Sequence, residues 1–138
     1  MSERSFVRVV VTALVIWVAG VVVIRLADSL VLTDGPGFIV GYVVAALSGP
    51  PTVWIGARMS GFPVREIVPP TLVICMVALP LDGLVMGFFP TVYTDPSRIH
   101  FLAPLFLWAF GWACVSAFAM AGGTRVFDAF SRQTPERS

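Results

Sequence analysis

The chain contains few charged residues, one histidine, two cysteines and no lysine. Charged residues make up 12% of its 138 positions, whereas soluble domains carry roughly 25%. A net charge of +1 argues against nucleic-acid binding, which needs basic residues concentrated on one face. Cys75 and Cys114 lack CxxC spacing, and no GxSxG elbow or His/Glu cluster occurs. The sequence therefore predicts no catalytic residue, no metal site and no cofactor.

Hydrophobic residues, by contrast, account for 57% of the chain, and its mean hydropathy is +0.89. A membrane-spanning helix needs about 20 mostly apolar residues. We expect an all-α polytopic membrane protein, a four-transmembrane-helix bundle over residues 1–122, followed by a short basic cytoplasmic tail over residues 123–138. Its spans are expected at about 6–32, 37–57, 67–89 and 101–121. The first apolar run is too long for a cleavable signal peptide, so we expect it to be retained.

The arginines predict the orientation, because basic residues are retained on the cytoplasmic side. Arg25 and Arg98 lie on the opposite side to the other seven, which are Arg4, Arg8, Arg58, Arg65, Arg125, Arg132 and Arg137. We therefore expect a multi-pass protein of the cell membrane with both termini cytoplasmic. Using arginine to the exclusion of lysine is typical of GC-rich bacterial genomes.

Small residues recur every four positions in two spans, and such rows let helix backbones approach closely in lipid. We call them the glycine seam and the alanine seam: Gly37, Gly41, Ala45 and Gly49 in the second span, and Ala109, Ala113, Ala117 and Ala121 in the fourth. The sequence leaves open whether the two seams close one bundle or join it to a second copy or another protein. Cys75 and Cys114 lie at similar depth and are interpreted as small packing residues.

Asp82 is an acidic residue inside the third span, where an ionisable group needs a partner, a proton or a function. It precedes Phe89 by seven residues, which is about 10 Å along a helix. Arg25 lies at the matching depth in the first span, one turn before Asp28. We predict an Arg25–Asp82 pair, with Asp28 as a competing partner for Arg25. The alternative is that Asp82 is an intramembrane proton or ion site.

Several short motifs are similar to those of a known group of proteins. They are Trp17 followed by Arg25, Leu81-Asp82, FFPTVY at 88–93 and the W-x-x-G element at 108–111. In these the chain resembles a family of small bacterial four-helix integral membrane proteins of unknown function, which implies the architecture and no activity. Small multidrug resistance transporters are similar in size and helix count. Their essential carboxylate, however, lies in the first helix, whereas the only deep carboxylate expected in this chain, Asp82, lies in the third span.

Two function classes follow from these features. The leading hypothesis is an accessory or assembly subunit that uses its small-residue seams against a larger membrane complex. The alternative is a small homo-oligomeric transporter or channel in which Asp82 is the ion or proton site. The expected partners are the lipid bilayer and either a larger complex or a second copy, and an intramembrane enzyme is not predicted.

Overall fold

The computed structural model describes residues 3–32 and 35–123, and within them the chain forms four long helices. They are α1 (Glu3–Val31), α2 (Pro36–Ser60), α3 (Val68–Phe88) and α4 (Ile99–Met120). Each is long and apolar enough to cross a membrane, so the prediction of an all-α chain with four helices of membrane-spanning length is confirmed. The predicted tail lies outside the described residues, apart from Gly123.

Proline and glycine mark the helix ends and also occur within helices. Pro36 occupies the first position of α2, where a missing N–H costs nothing. Gly61 ends the same helix with φ 75°, and its N–H donates to the Ala57 carbonyl. Pro50 and Pro51 lie inside α2, which nevertheless continues through them as one helix. The two prolines therefore remove backbone donors from α2 without dividing it.

The helices form a four-cornered bundle in which α1 packs against α2 and α3, and α4 packs against the same two. The α2–α4 interface is the most extensive of these. The α1–α2 and α3–α4 connections both lie at the end opposite the N-terminus, which we call the distal end. Helices α1 and α3 therefore run in the same direction, and α2 and α4 run back.

Buried side chains are few and lie in three separate clusters. One joins α2 to α4 through Val53, Ala57, Ala117 and Ala121 together with Ile67, one joins α1 to α3, and one lies at the distal end around Tyr93. Large apolar side chains cover the outside of the bundle, with Leu26 79% exposed. Such a surface suits contact with lipid rather than water.

The two small-residue seams contact other helices of the same chain. A Cβ built on Gly49 would lie 2.7 Å from Ser116 Oγ and 3.1 Å from the Trp112 carbonyl oxygen, so α2 and α4 approach closely there. At the distal end a Cβ on Gly41 would lie 3.1 Å from the Val31 carbonyl oxygen of α1. The five alanines of the seams lie in the buried clusters or along the bundle interior: Ala45, Ala109, Ala113, Ala117 and Ala121. Gly37 is half-buried.

Candidate functional site

Asp82 is buried inside the bundle, with 4% of its surface exposed. Its Oδ1 atom accepts a hydrogen bond of 2.7 Å from Trp17 Nε1 on α1. The same oxygen accepts a second hydrogen bond from the hydroxyl of Tyr93, in the α3–α4 connection. Buried carboxylates are tolerated where donors of this kind replace water. One oxygen of Asp82 therefore ties together α1, α3 and the distal connection.

The other oxygen of Asp82, Oδ2, accepts no hydrogen bond from any described residue. It is not sealed in the packing either, because none of the fully buried side-chain oxygens and nitrogens among residues 3–32 and 35–123 lacks a partner. Asp82 lines an internal cavity. The free oxygen therefore faces space that a ligand or water can occupy.

Tyr93 is positioned by the connection that contains it. The segment Pro90–Val92 makes a short 3₁₀ turn, and the Tyr93 N–H donates to the Pro90 carbonyl at 3.1 Å. The ring is completely buried and meets Phe106 edge-on at a centroid distance of 5.3 Å. Burial, and then the hydrogen bond to Asp82, raise the pKa of the Tyr93 hydroxyl. The hydroxyl therefore stays protonated and donates at neutral pH.

The cavity has a volume of about 420 Å³ and is bounded by all four helices. Its walls are mainly aliphatic and aromatic, and they include Trp17, Tyr93, Phe106 and Phe110. Among the described residues that line it, Asp82 is the sole carboxylate and no side chain is basic. A mostly apolar pocket of this size with a few placed polar groups is the usual form of a small-molecule site.

Helices α1 and α2 form the open side of the cavity. They meet at two levels: a Cβ on Gly56 would lie 3.6 Å from Ile16 Cδ1, and one on Gly41 would lie 3.1 Å from the Val31 carbonyl oxygen. Between these levels a Cβ on Gly20, which lines the cavity, would meet nothing within 4 Å. The helices therefore leave a gap at mid-length.

Exposure of the lining residues confirms where the cavity opens. Val15 and Val23 on α1 are 47% and 61% exposed, and Ile55 on α2 is 45% exposed. The lining residues of α3, such as Cys75 and Asp82, are buried. The mouth therefore lies between α1 and α2, on the side of the bundle and away from both ends.

The predicted Arg25–Asp82 pair is wrong. Arg25 Nη1 donates to the Thr91 carbonyl at 3.0 Å instead. Arg25 is eight residues after Trp17, the α1 residue that does reach Asp82, and eight residues rotate a helix by about 80° beyond two full turns. The same eight residues advance α1 by about 12 Å, so Arg25 lies nearer the distal end than Trp17 and on a different face of α1.

Asp28 does not pair with Arg25 either. Its Oδ2 atom accepts a hydrogen bond of 3.0 Å from Thr94 Oγ1 and lies 3.8 Å from Arg98 Nη1. These groups lie at the distal end, beside a polar cleft that Arg25 also lines. In the same cleft, hydrogen bonds from Ser97 lower the pKa of Asp95. The distal charges therefore form a surface network that is separate from the Asp82 cavity.

Sequence reasoning did not assign Trp17 and Tyr93 to Asp82, although both belong to the motifs that carry the family resemblance. The available signal was the buried carboxylate itself, which requires donors, and the aromatic residues with N–H or O–H groups at its depth.

The two cysteines are in contact: Cys75 Sγ and Cys114 Sγ lie 3.9 Å apart as free thiols. In the described part of the chain, no group of three or more His, Cys, Asp or Glu residues is arranged to hold a metal ion.

Comparison of the chain with family models, with curated proteins and with solved structures finds no match in any of the three. The resemblance to a bacterial membrane family stays a prediction.

Proposed function

We propose that this protein is a small membrane transporter that binds a mostly apolar molecule in its intramembrane cavity, with Asp82 as the polar anchor. The observation that carries the proposal is the free Oδ2 oxygen, which belongs to a buried carboxylate and faces the cavity. A carboxylate in such surroundings requires a compensating proton or cation. Exchange of one for the other on Asp82 would couple ligand movement to proton movement.

The packing favours this proposal over an accessory subunit. That hypothesis needs the glycine and alanine seams as surfaces for a larger partner. Gly49 and Ala117, however, lie in the α2–α4 interface, and Gly41 lies against α1. The cavity, moreover, is complete within one chain. Self-association is retained as part of the proposal, but the site does not depend on it.

We also propose the cell membrane of a bacterium as the location, with both termini cytoplasmic. The arginine distribution supports this orientation. The distal end, with Arg25 and Arg98, would then face outward. Asp82 would lie in the outer half of the bilayer, about four turns of helix from the inner end of α3.

Binding of an uncharged apolar compound to the cavity tests the proposal. The compound is neopentylbenzene, and binding is measured by saturation-transfer NMR with the protein in phosphatidylcholine nanodiscs. We expect saturable binding above that of empty nanodiscs. Gly20→Leu should weaken it roughly tenfold or more, because a leucine side chain occupies much of the mouth, in line with the loss of a contact-rich pocket.

A matched control separates this effect from a general effect of adding leucine. Gly83, on α3, is also a helical glycine whose Cβ would meet nothing within 4 Å, but it does not line the cavity. Gly83→Leu should bind neopentylbenzene as the wild type does. Equal binding by Gly20→Leu and Gly83→Leu would refute the cavity as a ligand site.

A further inference from the structure

The charge around the cavity selects the kind of ligand. Asp82 contributes the sole carboxylate among the described lining residues, and none of those residues is basic. The nearest arginines in the distal region are engaged elsewhere, Arg25 with the Thr91 carbonyl and Arg98 beside Asp28. An anion entering the cavity would find no positive group, whereas a cation would find the free oxygen of Asp82.

The cavity does not suit a divalent metal ion. Calcium binds six to eight oxygen ligands, and magnesium holds a strict octahedral shell. Here the described residues offer no cluster of three or more His, Cys, Asp or Glu side chains. The volume of about 420 Å³ also far exceeds what a bare ion needs. An organic cation, by contrast, would fill the apolar space around Asp82.

Aromatic rings near the carboxylate supply a second contact for such a molecule. Trp17 and Tyr93 donate to Asp82, and Phe106 packs against Tyr93 in the same wall. Ring faces attract alkylated ammonium groups by cation–π interaction, most strongly where water is excluded. An apolar cation with aromatic or alkyl bulk would therefore satisfy both the charge and the walls.

The position of the mouth indicates the route. The gap between α1 and α2 lies at mid-helix and is bordered by exposed valines and isoleucine, Val15, Val23 and Ile55. In a membrane this region contacts acyl chains. A ligand that partitions into the bilayer would reach the cavity sideways, without passing through water.

Resting on the proposed function, we propose that the ligand is a lipophilic organic cation, such as an aromatic quaternary ammonium compound, that enters from the bilayer between α1 and α2. Its positive charge lies against Asp82 Oδ2, and its apolar groups lie against the cavity walls. Trp17 and Tyr93 keep Asp82 aimed at the ligand by occupying Oδ1.

The test compares two compounds that differ only in charge. Benzyltrimethylammonium and neopentylbenzene have the same shape, with nitrogen in one replaced by carbon in the other. Radiolabelled forms are equilibrated with the protein in nanodiscs of uncharged phosphatidylcholine, and bound label is counted against empty nanodiscs. Asp82→Asn keeps an oxygen for Trp17 and Tyr93 but removes the charge, and Asp28→Asn is the matched control outside the cavity.

We expect the wild type to bind the cation more tightly than the carbon compound. Asp82→Asn should weaken cation binding by roughly thirtyfold or more, as when one member of a buried charge pair is lost. Asp28→Asn should not change it. Asp82→Asn should change binding of the carbon compound little, and Gly20→Leu should block both compounds.

The remaining outcomes separate the two proposals. If the carbon compound binds and the cation does not bind more tightly, the inference about charge fails while the proposed cavity function stands. Cation binding unchanged in Asp82→Asn would also overturn the inference. If neither compound binds, both proposals fail. The comparison of the two compounds on the wild type does not depend on the folding of any variant.

Discussion

Gly49→Ala is expected to destabilise the protein, because the α2–α4 interface leaves no room for a methyl group. The added Cβ would lie 2.7 Å from Ser116 Oγ and 3.1 Å from the Trp112 carbonyl oxygen. The serine hydroxyl can rotate away, but the carbonyl belongs to the α4 backbone and moves only with the helix.

The magnitude is the difference between two opposing effects. Replacing glycine by alanine inside a helix stabilises it by up to about 1 kcal/mol. Overpacking a tight contact costs about 1–3 kcal/mol. The overlap with backbone places Gly49 towards the upper part of that range, so the net loss should be about 1–2 kcal/mol in the free energy of unfolding.

The assay is reversible unfolding in mixed micelles, followed by circular dichroism as the fraction of denaturing detergent rises. Gly83→Ala is the control, because a Cβ on Gly83 meets nothing within 4 Å, and it should be neutral or slightly stabilising. Adding Ser116→Ala to Gly49→Ala removes the closer contact and should recover part of the loss. A Gly49→Ala protein as stable as Gly83→Ala would show that α2 and α4 do not approach this closely.

Two further predictions concern contacts made by α3, through Asp82 and through Cys75. Tyr93→Phe removes a donor from Asp82 while retaining the ring packed against Phe106, and it should cost about 1–3 kcal/mol in the same unfolding assay; no loss of stability would mean that Asp82 does not depend on this hydroxyl. Mild oxidation with copper phenanthroline should join Cys75 to Cys114, whose sulfur atoms lie 3.9 Å apart, with a mass decrease of about two hydrogens. Cys114→Ser is the control for that experiment, and persistence of both free thiols in the wild type would contradict the α3–α4 register.

A contact between α1 and Asp82 was predictable from the sequence at the candidate site, whereas the α1 residue that makes it was not. Counting residues from the helix ends assigns Arg25 and Asp82 similar depths, because a helix advances by a constant rise per residue, but the count ignores how far α1 is shifted along its axis relative to α3. Which way each side chain points depends on how α1 and α3 are rotated about their own axes. That rotation brings Trp17, and not Arg25, to Asp82.

The seams show the same division. Their four-residue spacing indicates that each row lies along one helix face. It carries no information about what that face meets, since a second copy, a larger partner and a helix of the same chain all accept small residues equally well. In the structure, Gly49 meets α4 and Gly41 meets α1.

The sequence by itself determined the number, length and approximate bounds of the helices, because apolar runs and the breaks between them are local properties of the chain. It also determined that Asp82 lies within a membrane span, because Asp82 lies inside such a run. Only the tertiary structure decided the partners of Asp82, the helices that the seams meet, and the cavity with its mouth between α1 and α2. These depend on helix rotation and on gaps between neighbours, which arise from the packing of all four helices at once.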